Sequence, residues 1–141
     1  MIIGTIVNGV VIDHIPAGRG MELYYYLKLD EVQSEVAIIK NAESGKCGKK
    51  DILKVNDVID LNYDILGYID TNITVNIIRD GVRVKKIHPQ LPEKIVGIIK
   101  CQNPRCITST EQELRHEFKL TDRENGIYRC VYCDTKAKQK L

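Results

Sequence analysis

The sequence predicts an α+β protein in two unlike parts, and three observations support this division. Residues 1–92 alternate β-branched stretches with amphipathic ones, as the strands and helices of one domain do. Residues 88–92 contain two of the four prolines, which is typical of a short, stiff linker. Residues 93–141 contain four of the five cysteines. We therefore expect one domain at 1–92 and a second at 93–141.

The first region begins with a strand and a helix. Val10, Val11 and Ile12 lie in β-branched sequence that ends at Pro16, because proline disrupts strand pairing. Residues 18–29 then carry apolar side chains at roughly helical spacing, which predicts the first helix.

Two strands and a second helix follow. Residues 36–40 and 52–59 predict strands, and in the latter Leu53 and Val55 should face one side and Lys54 the other. Residues 62–71 predict a short second helix.

A hairpin completes the first region. Residues 73–78 and 82–87 predict two strands, and Asp80-Gly81 between them is a favoured tight-turn pair. The whole region therefore predicts a five-stranded antiparallel sheet with two helices on one face, a ferredoxin-like arrangement.

The second region predicts a small all-β domain built around a metal ion. Strands are expected at 95–99, 116–120 and 127–131, and they lead into a C-x4-C…C-x2-C pattern formed by Cys101, Cys106, Cys130 and Cys133. Four thiolates make a closed tetrahedral site typical of structural Zn²⁺, one ion per chain, although iron in a rubredoxin-like site is an alternative. So small a domain would need its metal to fold. His116 could replace a cysteine as ligand, but four thiolates already complete the coordination shell, and Cys47 has no assigned role.

Composition limits the other functions. Net charge is +2, with 11 basic and 12 acidic residues in 1–92 and 10 against 7 in 93–141. A zinc–tetrathiolate adds −2 to the second region, so its charge would not favour nucleic acid. No apolar run of 18 residues or export signal is visible, so we expect neither membrane nor secretion and a cytoplasmic protein.

Lysines suggest a possible anion site in the first region. Lys49, Lys50 and Lys54 form one group, and Lys85 and Lys86 form another. If their strands adjoin Asp13 and His14, the cations could hold phosphates, whereas otherwise they are solvated surface charges. Walker and Gly-x-Gly-x-x-Gly motifs are absent, as are the common hydrolase motifs. Asp13 and His14 should point to opposite faces of a strand, which argues against an acid–base pair.

Several segments resemble the regulatory chain of aspartate carbamoyltransferase. They are V-I-D-H-I-P (11–16), S-G-K-C-G-K-K-D (44–51), T-V-N (74–76), P-Q-L-P-E (89–93), C-Q-N-P-R-C-I (101–107) and Y-R-C-V-Y-C (128–133). The similarity covers nearly the whole chain in order. It implies a non-catalytic subunit with a nucleotide-binding allosteric domain and a zinc domain that docks on the catalytic chain. It also implies a homodimer of regulatory chains within a dodecamer that controls pyrimidine biosynthesis.

The resemblance further implies ligands and their residues. CTP would inhibit, ATP would compete for the same site, and UTP would reinforce CTP. Lys86 and His14 would hold the triphosphate, and Asp13 and Lys54 the ribose. Backbone near Ile6 and Ile78 would hold the base, and the full set adds Lys50 and Asn76. Gly81 and Arg83 depart from the family pattern near the base and leave base preference open.

Two alternatives come from other classes of protein. A zinc-ribbon nucleic-acid-binding protein would use a basic face and exposed aromatic side chains. A nucleotide-processing enzyme would turn over CTP or ATP by itself. The low charge of the second region and the missing catalytic motifs favour a binding and assembly protein over both.

Overall fold

The computed structural model describes residues 7–45 and 48–137. The chain divides into two units, residues 1–89 and 90–141, each with its own sheet. Ile6 and Cys47, which the sequence singled out, lie outside the described residues. Among those residues, no helix has the length and apolar character needed to cross a bilayer.

One antiparallel sheet of five strands forms the centre of the described part of the N-terminal unit. Its order is β2-β3-β1-β4-β5, with bounds β1 Gly9–Pro16, β2 Val36–Ser44, β3 Gly48–Val55, β4 Thr74–Arg79 and β5 Val82–Ile87. The predicted α+β class is confirmed. Because β1 lies between β3 and β4, the lysine-bearing strands β3 and β5 come close to it from opposite sides.

Strand limits differ from the prediction on either side of residues 44–48. β2 continues to Ser44 and β3 begins at Gly48, so the pairing extends past the apolar residues that predicted these strands. The predicted hairpin is present, and its turn residues Asp80 and Gly81 both have positive φ, 52° and 76°. Two such residues match the twist of the flanking strands, as in a type I′ turn.

The helices are shorter than the sequence pattern predicted. α1 covers Gly20–Tyr26, because Lys28 takes a left-handed conformation (φ 57°) that ends the helix before a 3-10 turn at Leu29–Glu31. α2 covers Tyr63–Ile69 and begins where the side chain of Asn62 accepts two backbone hydrogen bonds.

The sheet buries one set of alternating side chains. Five of these side chains are at most 1% exposed: Val10, Ile12, Leu53, Val55 and Val75. Lys54, which lies between Leu53 and Val55 in the sequence, is only half-buried. The predicted alternation of β3 is therefore confirmed. Polar side chains at the intervening positions lie on the opposite face of the sheet.

A β-bulge in β1 corrects the expectation for Asp13 and His14. The pairing of β1 with β3 shifts between Ile12 and Ile15, which are both fully buried although two residues separate them. His14 has φ 58°, which the extra residue of the bulge requires. Both intervening side chains therefore leave the core face together, so the prediction that they point to opposite faces is wrong.

The described part of the C-terminal unit has a sheet of three antiparallel strands. They are β6 Lys94–Val96, β7 Glu117–Asp122 and β8 Ile127–Cys130, with Ile95, Phe118 and Tyr128 buried. A four-residue helix, α3 (Ile107–Thr110), was not predicted. The unit therefore contains one short helix beside the predicted strands.

Candidate metal centre and cationic cleft

Two loops of the C-terminal unit bring four cysteine sulfurs together. Cys101 and Cys106 lie between β6 and α3, whereas Cys130 ends β8 and Cys133 lies in the turn beyond it. All four Sγ atoms are within 4.8 Å of one another. The Cys101–Cys133 and Cys106–Cys130 sulfur separations are 3.6 and 3.7 Å, and all four residues are free thiols. A disulfide bond would be about 2.05 Å long.

The sulfur geometry fits a tetrahedral metal ion. A metal with bonds of about 2.3 Å to four thiolates places the sulfurs about 3.8 Å apart. The Cys101–Cys133 and Cys106–Cys130 separations are within about 0.2 Å of that value. Soft thiolates select zinc or iron rather than magnesium or calcium. The four cysteines therefore provide a closed site for a thiophilic metal.

The thiols of Cys101, Cys130 and Cys133 differ in the direction in which their pKa is shifted. Burial raises the pKa of Cys101 to about 12 and also raises the pKa of Cys130. A hydrogen bond with the Thr135 side chain lowers the pKa of Cys133 to about 6. Cys133 is therefore mainly a thiolate at neutral pH, whereas Cys101 and Cys130 must release protons to a binding metal.

His116 supports the metal centre from outside the cluster. Its Nδ1 atom accepts a 3.0 Å hydrogen bond from the backbone N–H of Cys101. That bond occupies a ring nitrogen and orients the backbone of a ligand-bearing residue. The cluster of four sulfurs does not include this histidine.

A cleft of about 490 Å³ lies in the N-terminal unit and is rich in cationic side chains. Its lining includes Lys49, Lys50, Lys86, His14 and His88. The lining also includes the polar side chains of Asn72 and Thr74 and the carboxylate of Asp70. Such a concentration of donors and positive charge suits an anionic ligand.

The bulge in β1 organises one wall of this cleft. Lys50 Nζ lies 3.0 Å from an Asp13 carboxylate oxygen, and the backbone N–H of His14 donates to that carboxylate at 2.6 Å. His14 Nδ1 and Thr74 Oγ1 are 3.1 Å apart. The bulge thus places an acid, an imidazole and a lysine from three different chain positions beside one another.

A row of paired residues crosses four strands next to the cleft. Lys54 pairs with Val11, Val11 with Asn76, and Asn76 with Lys86, so these side chains share one face. Asn76 Oδ1 is buried and has no hydrogen-bond partner among the described residues. A buried acceptor of this kind normally has a partner. Its position in this row therefore suggests a ligand that donates a hydrogen bond.

Comparison with known proteins matches each unit to a domain of one protein family. The family model described as aspartate carbamoyltransferase regulatory chain, allosteric domain, matches residues 1–90, and the metal binding domain of the same chain matches residues 93–141. The chain belongs to the aspartate carbamoyltransferase regulatory chain family. The expectation of a regulatory subunit rather than an enzyme is confirmed at this level.

Individual regulatory chains show the same similarity. A Clostridium botulinum protein is 51% identical over 132 residues, which cover 94% of this chain and 90% of its own. A Clostridium acetobutylicum protein is 52% identical over the same length. A Bifidobacterium longum protein is 44% identical over 138 residues, 98% of this chain and 99% of its own. All three are named aspartate carbamoyltransferase regulatory chain.

The allosteric domain brings together most of the residues singled out from the sequence. His14, Lys50 and Lys86 line the cleft, and Asp13 bonds to Lys50. Lys54 and Asn76 occupy the adjoining row. Ile78 pairs with Gly9 and Arg83. It lies two residues after Asn76 in β4 and is therefore closer to the hairpin turn.

Thr74 and His88 line the same cleft but were missed by sequence reasoning. Thr74 lies two residues before Asn76, and His88 lies two residues after Lys86. The period-two rule for strands could therefore have placed each beside a predicted residue. His88 was assigned instead to the linker because Pro89 follows it.

Proposed function

We propose that this chain is the non-catalytic allosteric subunit of aspartate carbamoyltransferase. In this role it binds CTP or ATP in its N-terminal unit and docks on the catalytic chain through its C-terminal unit. The observation that carries the proposal is the cationic cleft within the allosteric domain. Through its assembly with the catalytic chain, the protein would control pyrimidine biosynthesis in the cytoplasm.

Three basic side chains of the cleft suit a triphosphate. Lys86 and His14 are the groups we assign to the phosphates, and Lys50 lies in the same wall. Ammonium groups form strong charge-assisted hydrogen bonds with phosphate oxygens. Because Lys50 already contacts Asp13 at 3.0 Å, this ion pair orients its ammonium group before a ligand arrives.

The ribose and base would occupy the row next to the phosphates. We assign Asp13 and Lys54 to the ribose hydroxyls, since a carboxylate accepts hydrogen bonds and an ammonium donates them. The unpartnered Oδ1 of Asn76 would accept from the nucleoside. Backbone near Ile78 and Ile6 would hold the base, and Arg83 opposite Ile78 would influence base preference. UTP would act as an additional ligand that reinforces CTP.

Replacing Lys86 tests the nucleotide site. We expect Lys86→Ala to weaken CTP binding by roughly ten- to a hundredfold, as loss of a charge-assisted hydrogen bond of about 1.5–3 kcal/mol would. Lys85→Ala is the matched control, because Lys85 is the preceding lysine in β5 and does not line the cleft. Calorimetry with CTP measures both affinities. Equal affinities for the wild-type chain and Lys86→Ala would remove the phosphate assignment.

The metal is best assigned as structural zinc, one ion per chain. Four thiolates leave no open position for a substrate, and the sulfur separations match a compact tetrahedron. Elemental analysis of the purified chain should find one zinc per polypeptide. Iron in its place would give a coloured protein and contradict the assignment.

The metal-binding domain has exposed apolar side chains next to its cysteines. Ile107 follows Cys106 and is 50% exposed, and Tyr132 lies between Cys130 and Cys133 and is 46% exposed. Apolar groups held by a rigid metal site suit a protein interface. We propose that they contact the catalytic chain, within a dodecamer that also contains homodimers of regulatory chains.

Regulation requires that nucleotides favour one quaternary state over another. A difference of about 1–3 kcal/mol would change substrate affinity by roughly 5–150-fold. The purified chain should co-elute with catalytic subunits of aspartate carbamoyltransferase, and CTP should shift the aspartate saturation curve of the complex. Separate elution would contradict the assembly role, and an unshifted curve in a stable complex would contradict the allosteric role.

A further inference from the structure

Two threonine hydroxyls contact sulfur atoms of the metal centre. We propose that Thr108 and Thr135 donate hydrogen bonds to the thiolates of Cys106 and Cys133 and thereby set how firmly the metal is held. This inference rests on the proposal that the cluster binds zinc. The threonines are positioning residues, because they touch the ligand atoms and not the ion.

The contact of Thr108 lies inside the protein. Its Oγ1 atom is 3.1 Å from Cys106 Sγ, and the residue is only 5% exposed. Water has little access to replace this donor. A buried hydroxyl without a partner is destabilising, so the sulfur and the hydroxyl stabilise each other.

The contact of Thr135 is directed by a second side chain. Thr135 Oγ1 lies 3.1 Å from Cys133 Sγ, and Asn103 Nδ2 donates to the same oxygen at 3.2 Å. A hydroxyl has a single proton. A protonated Cys133 thiol donates to Thr135 Oγ1, and Asn103 uses the other acceptor position of this oxygen. A metal-bound thiolate has no proton, so in that state the Thr135 hydroxyl becomes the donor to sulfur.

The amide of Asn103 is itself held in this orientation. Its Oδ1 atom accepts a 3.0 Å hydrogen bond from the backbone N–H of Arg105, which leaves Nδ2 as the group that faces Thr135. The resulting chain of hydrogen bonds joins the loop between Cys101 and Cys106 to the turn that carries Cys133. The two halves of the metal centre are therefore connected through their side chains, in addition to the link that a bound metal would provide.

Each pair of cysteines thus has one sulfur with a hydroxyl donor. A tetrathiolate site carries excess negative charge, and a donor withdraws some of it from the sulfur. Sulfur atoms with less charge are poorer targets for protons and electrophiles. Groups that support metal ligands in this way are typically worth about 10–100-fold in metal affinity.

Valine substitutions in the full-length chain test this role. We expect Thr135→Val to release zinc to a chromogenic chelator at least about tenfold faster than the wild-type chain, whereas Thr135→Ser should release it at nearly the wild-type rate. In the Co²⁺-loaded chain, Thr135→Val should shift the sulfur-to-cobalt absorption to lower energy. Thr108→Val should act in the same direction. Thr121→Val is the matched control, because Thr121 donates to the Ile127 carbonyl and not to sulfur.

The outcomes separate this inference from the metal assignment. A wild-type chain that binds neither zinc nor cobalt overturns the metal assignment and this inference with it. Tight metal binding by the wild-type chain, with unchanged release and absorption in Thr135→Val and Thr108→Val, overturns only the role of the hydroxyls. Equal impairment of Thr135→Ser and Thr135→Val would also overturn it, because packing would then be the cause. Faster release confined to the valine variants supports it.

Discussion

The protonation of Cys101 and Cys130 links the metal centre to pH. Burial raises the pKa of both thiols, so both are protonated at neutral pH until a metal displaces their protons. Cys133, with a pKa of about 6, is already ionised there. At the residue scale, metal binding is therefore favoured by raising the pH and opposed by lowering it.

This linkage predicts a steep pH dependence of zinc affinity. Each proton released raises the apparent affinity about tenfold per pH unit, so the protons of Cys101 and Cys130 alone give at least roughly a hundredfold increase from pH 7 to pH 8. Competition titrations against a chelator of known pH dependence measure this change. A pH-independent affinity over that interval would show that the thiols are already ionised.

At the scale of elements, a single carboxylate joins the segments around the cleft. Asp51 in β3 is fully buried and accepts hydrogen bonds from the backbone N–H groups of Gly18, Gly20 and Asn41 at 2.9–3.1 Å. These bonds compensate for the water that the carboxylate has lost. They also hold the loop before α1 and the middle of β2 against β3.

Gly20 provides the space for this carboxylate, which predicts that Gly20→Ala is destabilising. A Cβ atom at residue 20 would lie 2.9 Å from Asp51 Oδ2 and 3.1 Å from its Cβ. We expect the free energy of unfolding of the N-terminal unit to fall by about 1–3 kcal/mol, as in other overpacked sites. Gly45→Ala is the control, since its Cβ would meet no atom within 4 Å. Urea unfolding followed by circular dichroism compares the two, and equal midpoints would contradict the packing argument.

At the scale of the molecule, we expect the C-terminal unit to depend on a bound metal for its folding more than the N-terminal unit does. Its described core is small and includes Ile95, Phe118 and Tyr128, and the cysteine loops between its strands have little other regular structure. The N-terminal unit instead has a five-stranded sheet with a continuous apolar face. Metal binding free energy is folding free energy in small metal domains.

Removal of zinc should therefore separate assembly from nucleotide binding. After chelation, or in Cys106→Ala, we expect residues 90–141 to lose structure and the chain to stop associating with catalytic subunits. CTP should still bind to the N-terminal unit. Light scattering of the mixture and CTP calorimetry measure the two properties. Normal assembly by the metal-free chain would contradict the docking role of the metal domain.

Local patterns were sufficient to predict most elements. The hairpin was predicted because Asp-Gly suits positive φ, and the cysteine cluster because the spacing within each cysteine pair is a local property of the sequence. Helix ends were predicted less well. The left-handed residue Lys28 ends α1, and nothing in its side chain signals that conformation.

The sequence by itself determined the fold class, the four clustered cysteines and the family, because these depend on short-range periodicity and on motifs that occur in order along the chain. Only the tertiary structure decided how Asp13, His14 and Lys50 meet. Strand order and the bulge in β1 place them side by side, and both depend on the pairing of β1 with β3 and β4, which lie far away in the sequence. For the same reason the Asn103–Thr135–Cys133 contacts became visible only in three dimensions.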